Sequence, residues 1–120
     1  MRDPPDRDIT RARGVPVTWT RVASTDDLWE GEMIGREVAG FPVVLVNVDG
    51  DVLAYEDRCP HAATPLSNGR LEGGVLTCSA HEWVFDCRVG VGINPRDAVL
   101  RSIAVRVEED AISVDPERER

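Results

Sequence analysis

Cys59-Pro60-His61 and Cys78-Ser79-Ala80-His81, with sixteen residues between them, are the stretches on which the reading of this chain turns. They use both histidines of the sequence and two of its three cysteines. Thiolate and neutral imidazole are metal ligands, and four such groups in two short loops describe a metal site. A tetrahedral zinc site would place all four on one ion. A [2Fe–2S] centre would divide them, two thiolates on one iron and two imidazoles on the other. Each loop here carries one Cys followed by one His, so two loops side by side can put both cysteines on one iron and both histidines on the next. The common Cys2His2 zinc pattern instead keeps its cysteines together and its histidines together. The arrangement favours the two-iron centre. The alternative from a different class is a zinc-stabilised interaction module, in which the same ligands serve folding alone.

Composition bounds the rest. At 120 residues one domain with its own core is expected, with no room for a second catalytic domain. No apolar run approaches the ~20 residues that span a bilayer. The first sixteen residues are rich in Arg, Asp and Pro and hold no apolar segment of the signal-peptide kind. Two cysteines committed to metal leave no disulfide framework, so the expected location is the cytoplasm. The formal net charge is -8. Residues 1–16 carry four Arg and three Asp, whereas residues 17–114 carry eight Arg and sixteen acids, so the negative charge belongs to the body. Such a body is not expected to bind nucleic acid, which recruits Lys and Arg to its phosphates. Steering toward basic patches on protein partners is expected instead. All fourteen basic residues are arginine, which we read as compositional bias.

Along the chain, 1–16 reads as a disordered tail, 17–115 as the folded domain and 116–120 as a second tail. Val17 to Val22 is expected as a first strand, and Ser24 to Trp29 as a capped helical turn with Ser24 or Thr25 at its N-cap. Arg36 to Val38 should be extended. Val43 to Val48 and Val52 to Tyr55 flank Asp49-Gly50-Asp51, a strong hairpin signal, and the second strand runs into the first ligand loop. Gly73-Gly74 makes a turn. Val75 to Thr77 leads into the second ligand loop and Trp83 to Phe85 leads out of it. Arg88 to Pro95 reads as a loop without periodicity. Leu100 to Val107 and Ala111 to Val114 form a last hairpin around Glu108-Glu109-Asp110. The pattern describes an all-β, antiparallel sandwich or open barrel. Trp19 and Trp29 are expected as core or anchoring aromatics, Cys87 as a small strand-end residue, and Glu82 and Asp86 as solvated surface.

The segment Cys59-Pro60-His61 … Cys78-Ser79-Ala80-His81-Glu82-Trp83-Val84-Phe85 resembles soluble Rieske ferredoxins. Asp26-Asp27-Leu28-Trp29-Glu30-Gly31-Glu32-Met33, Leu66-Ser67, Glu72-Gly73-Gly74-Val75 and Gly92-Ile93-Asn94-Pro95 resemble one branch. That branch is the ferredoxin component of bacterial multicomponent di-iron monooxygenases of the toluene and alkene or isoprene type. The resemblance covers about residues 17–115. It implies a Rieske fold: an antiparallel β-sandwich bearing a small cluster-binding subdomain of two ligand loops and a proline loop. It also implies one Rieske-type [2Fe–2S] cluster and a one-electron carrier, itself no enzyme. Electrons would pass from an NADH-dependent flavin and iron–sulfur reductase to a di-iron hydroxylase.

Carried onto these residues, the resemblance puts Cys59 and Cys78 on the inner iron and His61 and His81 on the outer, reducible one. Pro60, Ala62, Trp83 and Pro95 would surround the cluster or take part in docking, with Gly92 to Pro95 as the proline loop. The disulfide positions of high-potential relatives are held by Ala63 and Ala80, and their Ser and Tyr hydroxyl positions by Trp83 and Phe85. Fewer hydrogen bonds to sulfur place the potential at the low end of the Rieske range. A Rieske oxygenase would need two further histidines for a mononuclear iron, and none remains after the cluster. The ferredoxin of an aromatic ring-hydroxylating dioxygenase is the nearest alternative, and a nitrite reductase small subunit a further one. A monomer is expected, since a carrier meets two partners in turn.

Overall fold

A run such as Phe41-Pro42-Val43-Val44-Leu45-Val46-Asn47-Val48 has no polar face to offer solvent, and the fold buries it on both faces from Val43 to Val48. The computed structural model describes residues 19–60, 64–79 and 83–117. In chain order its strands are β1 (Thr20–Ser24), β2 (Met33–Val38), β3 (Phe41–Val48), β4 (Asp51–Glu56), β5 (Arg70–Glu72), β6 (Val75–Thr77), β7 (Val84–Asp86), β8 (Val91–Asn94), β9 (Ser102–Glu108) and β10 (Ala111–Asp115). All their pairings are antiparallel. They form a six-stranded sheet in the order β1-β10-β9-β4-β3-β2 and a four-stranded sheet in the order β5-β6-β7-β8. The expected all-β, antiparallel architecture is what the chain adopts.

β3 is the shared wall. Val43 and Leu45 face one core with Leu28, Ala54, Ile103, Ile112 and Val114. Val44, Val46 and Val48 face the other, with Tyr55, Leu66, Leu76, Phe85, Leu100 and all three cysteines. Successive side chains of a strand point to opposite faces, so a strand between two cores is apolar on both, with Asn47 the one polar residue and hydrogen-bonded. Each fully buried Val or Leu here contributes about 1.5–3 kcal/mol. The six-stranded sheet curls until its edges meet: Arg36 Nε on β2 donates to the Val22 carbonyl on β1 at 3.0 Å.

Local chemistry sets the turns. Asp49 and Gly50 both adopt positive φ, at 56° and 94°, giving the tight β3–β4 hairpin. Ser24 caps the 3-10 turn Thr25–Asp27 in a reciprocal capping box: its hydroxyl accepts from the Asp26 amide, and its own amide donates to Asp27 Oδ2 at 2.9 Å. Asn47 is buried on β3, donates to the Leu28 carbonyl at 3.1 Å and accepts from the Gly50 amide at 2.9 Å. That pins the 28–32 segment to the hairpin.

Two expectations are corrected. Arg88 to Pro95 is no structureless loop, because Val91–Asn94 pairs with β7 as β8. Its alternation is inverted. A side chain at Gly90 would fall 2.9 Å from the Tyr55 ring, and one at Gly92 would strike the Pro95 carbonyl. The inner positions therefore hold glycine, while Val89, Val91 and Ile93 are exposed. A rule that looks for apolar residues on the inner face misses such a strand. Trp29 is not core either: 65 % of it is exposed, and its indole N–H donates to the Asp26 carbonyl at 3.0 Å. Trp19 is half-buried beneath the Arg106 guanidinium, 4.7 Å from its ring centre. The expected 1–16 tail lies outside the described residues. Among the described residues no helix is long and apolar enough to cross a membrane.

The two sheets are tied by Tyr55, wholly buried on β4, whose hydroxyl donates to the Cys87 carbonyl at 2.5 Å. Tyr55→Phe should lower stability by about 1–3 kcal/mol, the cost of an unsatisfied buried carbonyl, read by chemical denaturation.

Candidate metal centre

The small sheet collects the expected site at one end. Arg70 pairs with Thr77, Thr77 with Val84, and Val84 with Asn94, one row across all four strands. The segment 57–69 reaches β5 at that row, the 78–83 connection joins β6 to β7 there, and the turn at Pro95 leaves β8 beside it. The first of these carries Cys59 and the second Cys78. Three loops separated in sequence thus meet at one edge because antiparallel pairing brings their strand ends together.

The two cysteine loops are built alike. The Cys59 amide donates to the Thr64 carbonyl at 2.8 Å, and the Cys78 amide donates to the Trp83 carbonyl at 2.8 Å. Each bond ties the cysteine to the residue five positions on. Cys59 is 2 % exposed and Cys78 1 %, and none of the three cysteines is in a disulfide. Gly69 makes the approach of the second loop possible: a side chain there would meet the Thr77 carbonyl at 2.0 Å. The first loop is clasped across its base. The Asp57 carboxylate accepts from the Ser67 amide at 2.8 Å and from the Ser67 hydroxyl at 2.6 Å. The Asp57 amide donates to the Pro42 carbonyl at 3.0 Å, so the clasp is anchored to β3.

Of the expected residues, Cys59, Cys78, Pro60, Trp83 and Pro95 are described; His61, Ala62, Ala63, Ala80, His81 and Glu82 lie outside the described residues. Pro60 is exposed, Trp83 half-buried against the core that holds the cysteines, and Phe85 fully buried in it. Pro95 is half-buried after a cis Asn94–Pro95 bond, in a turn whose Gly92 amide donates to the Ala98 carbonyl at 2.7 Å. Asp86 is half-buried, its carboxylate accepting from the Arg88 amide at 2.9 Å. Among the described residues no group of three or more metal donors forms, since two of the four expected ligands are not among them. Cys87 is fully buried beyond β7, where desolvation, with Asp86 alongside, pushes its thiol from 9.0 up to about 12. It packs in the core of the small sheet. Sequence reading missed Asp57 and Gly69: an acid before Cys59 looks like surface, and a glycine before a strand looks like a turn. Only their neighbours in space reveal the clasp and the close approach.

Two dry thiols in matching loops suit a cluster that needs thiolate ligands shielded from water, and the Cys and His donor set suits unlike irons. Residues 18–104 match the family model of the Rieske [2Fe-2S] domain. The ferredoxin component of an alkene monooxygenase system from Xanthobacter autotrophicus is 40% identical over 102 residues, covering 84% of each chain. The ferredoxin component of a biphenyl 2,3-dioxygenase from Rhodococcus jostii is 37% identical over 99 residues, covering 82% of this chain and 92% of the relative. A ferredoxin chain solved in complex with the oxygenase of a carbazole 1,9a-dioxygenase superposes with a TM-score of 0.76 at 28% identity, covering 85% of this chain and 96% of that one.

Replacing Cys59 or Cys78 by Ser should abolish iron and sulfide retention, while Cys87→Ala should keep both at wild-type stoichiometry. Gly69→Ala should cut retention by displacing the second loop. Native holo-protein should resist thiol alkylation at Cys87, whose thiol burial pushes up to about 12 and keeps protonated. Unfolding should expose it to labelling, read by mass spectrometry.

Proposed function

The chain belongs to the Rieske [2Fe-2S] family, and from that premise we propose that it is the ferredoxin component of an oxygenase system. It would carry one electron at a time from an NADH-dependent flavin and iron–sulfur reductase to the di-iron hydroxylase of a multicomponent monooxygenase that acts on alkenes or aromatic hydrocarbons. The observation that carries this reading is the pair of buried thiols in matching closed turns at one end of the small sheet. The alkene monooxygenase relative, which matches at comparable length, supports the monooxygenase branch. The biphenyl dioxygenase relative keeps the ring-hydroxylating dioxygenase ferredoxin as the second reading. A zinc module gives way, because the family's metal centre is [2Fe–2S].

In this reading Cys59 and Cys78 hold the inner iron, and His61 and His81 the outer one. Such a cluster supplies one-electron transfer, with the added electron on the imidazole-ligated iron. The chain's own residues do the rest. Burial keeps water from the thiolates, the two turns set their spacing, and Pro60 and Pro95 border the end a partner must reach. Trp83 and Phe85 bring no hydroxyl to the loops, which supports a potential at the low end of the Rieske range. The folded domain is taken as 17–115 with short tails, acting as a cytoplasmic monomer that binds protein partners and no nucleic acid.

Segment 57–101 holds five arginines and five acids, so the net negative charge of the body sits on the six-stranded sheet. Many of its acids gather at the end away from the cysteine loops: the Thr25 amide donates to the Asp110 carbonyl at 2.9 Å, bringing Asp26 and Asp27 beside Glu108 and Glu109. That concentration of acids would steer the protein toward basic patches on its partners.

Low-temperature EPR of the dithionite-reduced protein, with iron and acid-labile sulfide assayed, tests the reading. A rhombic signal with average g below that of all-cysteine clusters, at two irons and two sulfides per chain, is expected; a colourless, EPR-silent protein with one zinc would overturn it. Rates of electron delivery to the hydroxylase should fall as salt rises, and a flat salt response would remove charge steering from the docking step.

A further inference from the structure

Asp57 carries a charge where the fold could have used a neutral group. Its side chain is buried, at 8 % exposure, two residues before Cys59, so the two Cα atoms are at most about 7 Å apart. Its partners are the Ser67 amide and hydroxyl, both neutral. Among the described residues no cation is paired with it; the neighbouring Arg58 guanidinium lies 3.6 Å from Glu56 instead. β2 closes the slot, since a side chain at Gly35 would fall 2.8 Å from Ser67 Oγ and 3.0 Å from Asp57 Oδ2. Burying a carboxylate without a counter-ion is costly. An asparagine could make both bonds, accepting from the Ser67 amide and donating to its hydroxyl. The geometry therefore accounts for a polar residue at 57 but not for a charged one.

We propose that the Asp57 carboxylate is a fixed negative charge that lowers the reduction potential of the cluster, with Ser67 as the positioning residue that holds it in place. The inference rests on the Rieske reading. Reduction brings in one electron from the donor and makes the site one unit more negative, with no bond made or broken, so a nearby anion disfavours the reduced form. A unit charge within roughly 10 Å at an effective dielectric of about 20 changes the reduced-to-oxidised ratio roughly tenfold, which for one electron is about 59 mV.

The test is voltammetry of the holo-protein with EPR of each reduced variant. Asp57→Asn should raise the reduced-to-oxidised ratio roughly tenfold at fixed ambient potential, with rhombic g-values unchanged; Asp57→Ser removes the same charge should the amide variant fail to load. Ser67→Ala keeps the charge and withdraws a donor, so its midpoint should stay put or fall. Charge-removing variants whose reduced-to-oxidised ratio at that potential stays within twofold of wild type would overturn the proposal. So would a Ser67→Ala midpoint that rises as far as theirs, since the effect would then be loop geometry. Absence of a Rieske signal from the wild type would instead remove the reading on which the inference stands.

Discussion

Double burial of β3 is the constraint on which the rest of the structure depends. Val43 and Leu45 seal the interior of the curled six-stranded sheet, while Val44, Val46 and Val48 form the floor on which the four-stranded sheet sits. Without the second face the small sheet has nothing to pack on, because strands of three or four residues cannot form a stable unit alone. The cysteines belong to that second core, so the site is an extension of the packing. Tyr55 reinforces the junction by spending its hydroxyl on the Cys87 carbonyl across the two sheets.

The site rests on that floor through main-chain bonds more than through side chains. Two amides, those of Cys59 and Cys78, close the two turns and hide both thiols. This suits a carrier, whose ligand geometry should change little between redox states while its outer edge stays accessible. Glycine serves the same end by absence: at Gly69 and Gly92 backbone passes so close to carbonyl oxygen that any side chain would push the loops apart. Charge is partitioned along with structure. Many acids lie at the far end of the large sheet, while Asp57 is enclosed beside the first cysteine loop.

Much of this was legible from residue patterns, and the exceptions have physical causes. The β3–β4 hairpin, the capping box at Ser24 and the Gly73-Gly74 turn announce themselves because their chemistry is local, within four residues. β8 was not legible, since its period-2 signal is inverted by glycines that only Tyr55 and Pro95, distant or folded back, require. Trp29 misled because a large aromatic is ordinarily buried, whereas here an indole hydrogen bond to Asp26 holds it at the surface. β5 is only three residues long and reads as loop until β6 pairs with it.

By itself the sequence determined the class of chemistry and the class of fold. Two Cys and two His in paired loops narrow the metal centre to very few forms, and short apolar runs between turn residues permit little but antiparallel β-structure. Only the tertiary structure decided that the cysteine loops share one row of the small sheet, that Cys87 is a buried packing thiol, that many of the acids gather at the far end of the large sheet, and that Asp57 is enclosed with Ser67. The reason is range. Ligand identity and turn chemistry are written in neighbouring residues, whereas burial, charge separation and the clasp arise between residues ten or more apart, brought together by the packing of two sheets on one strand.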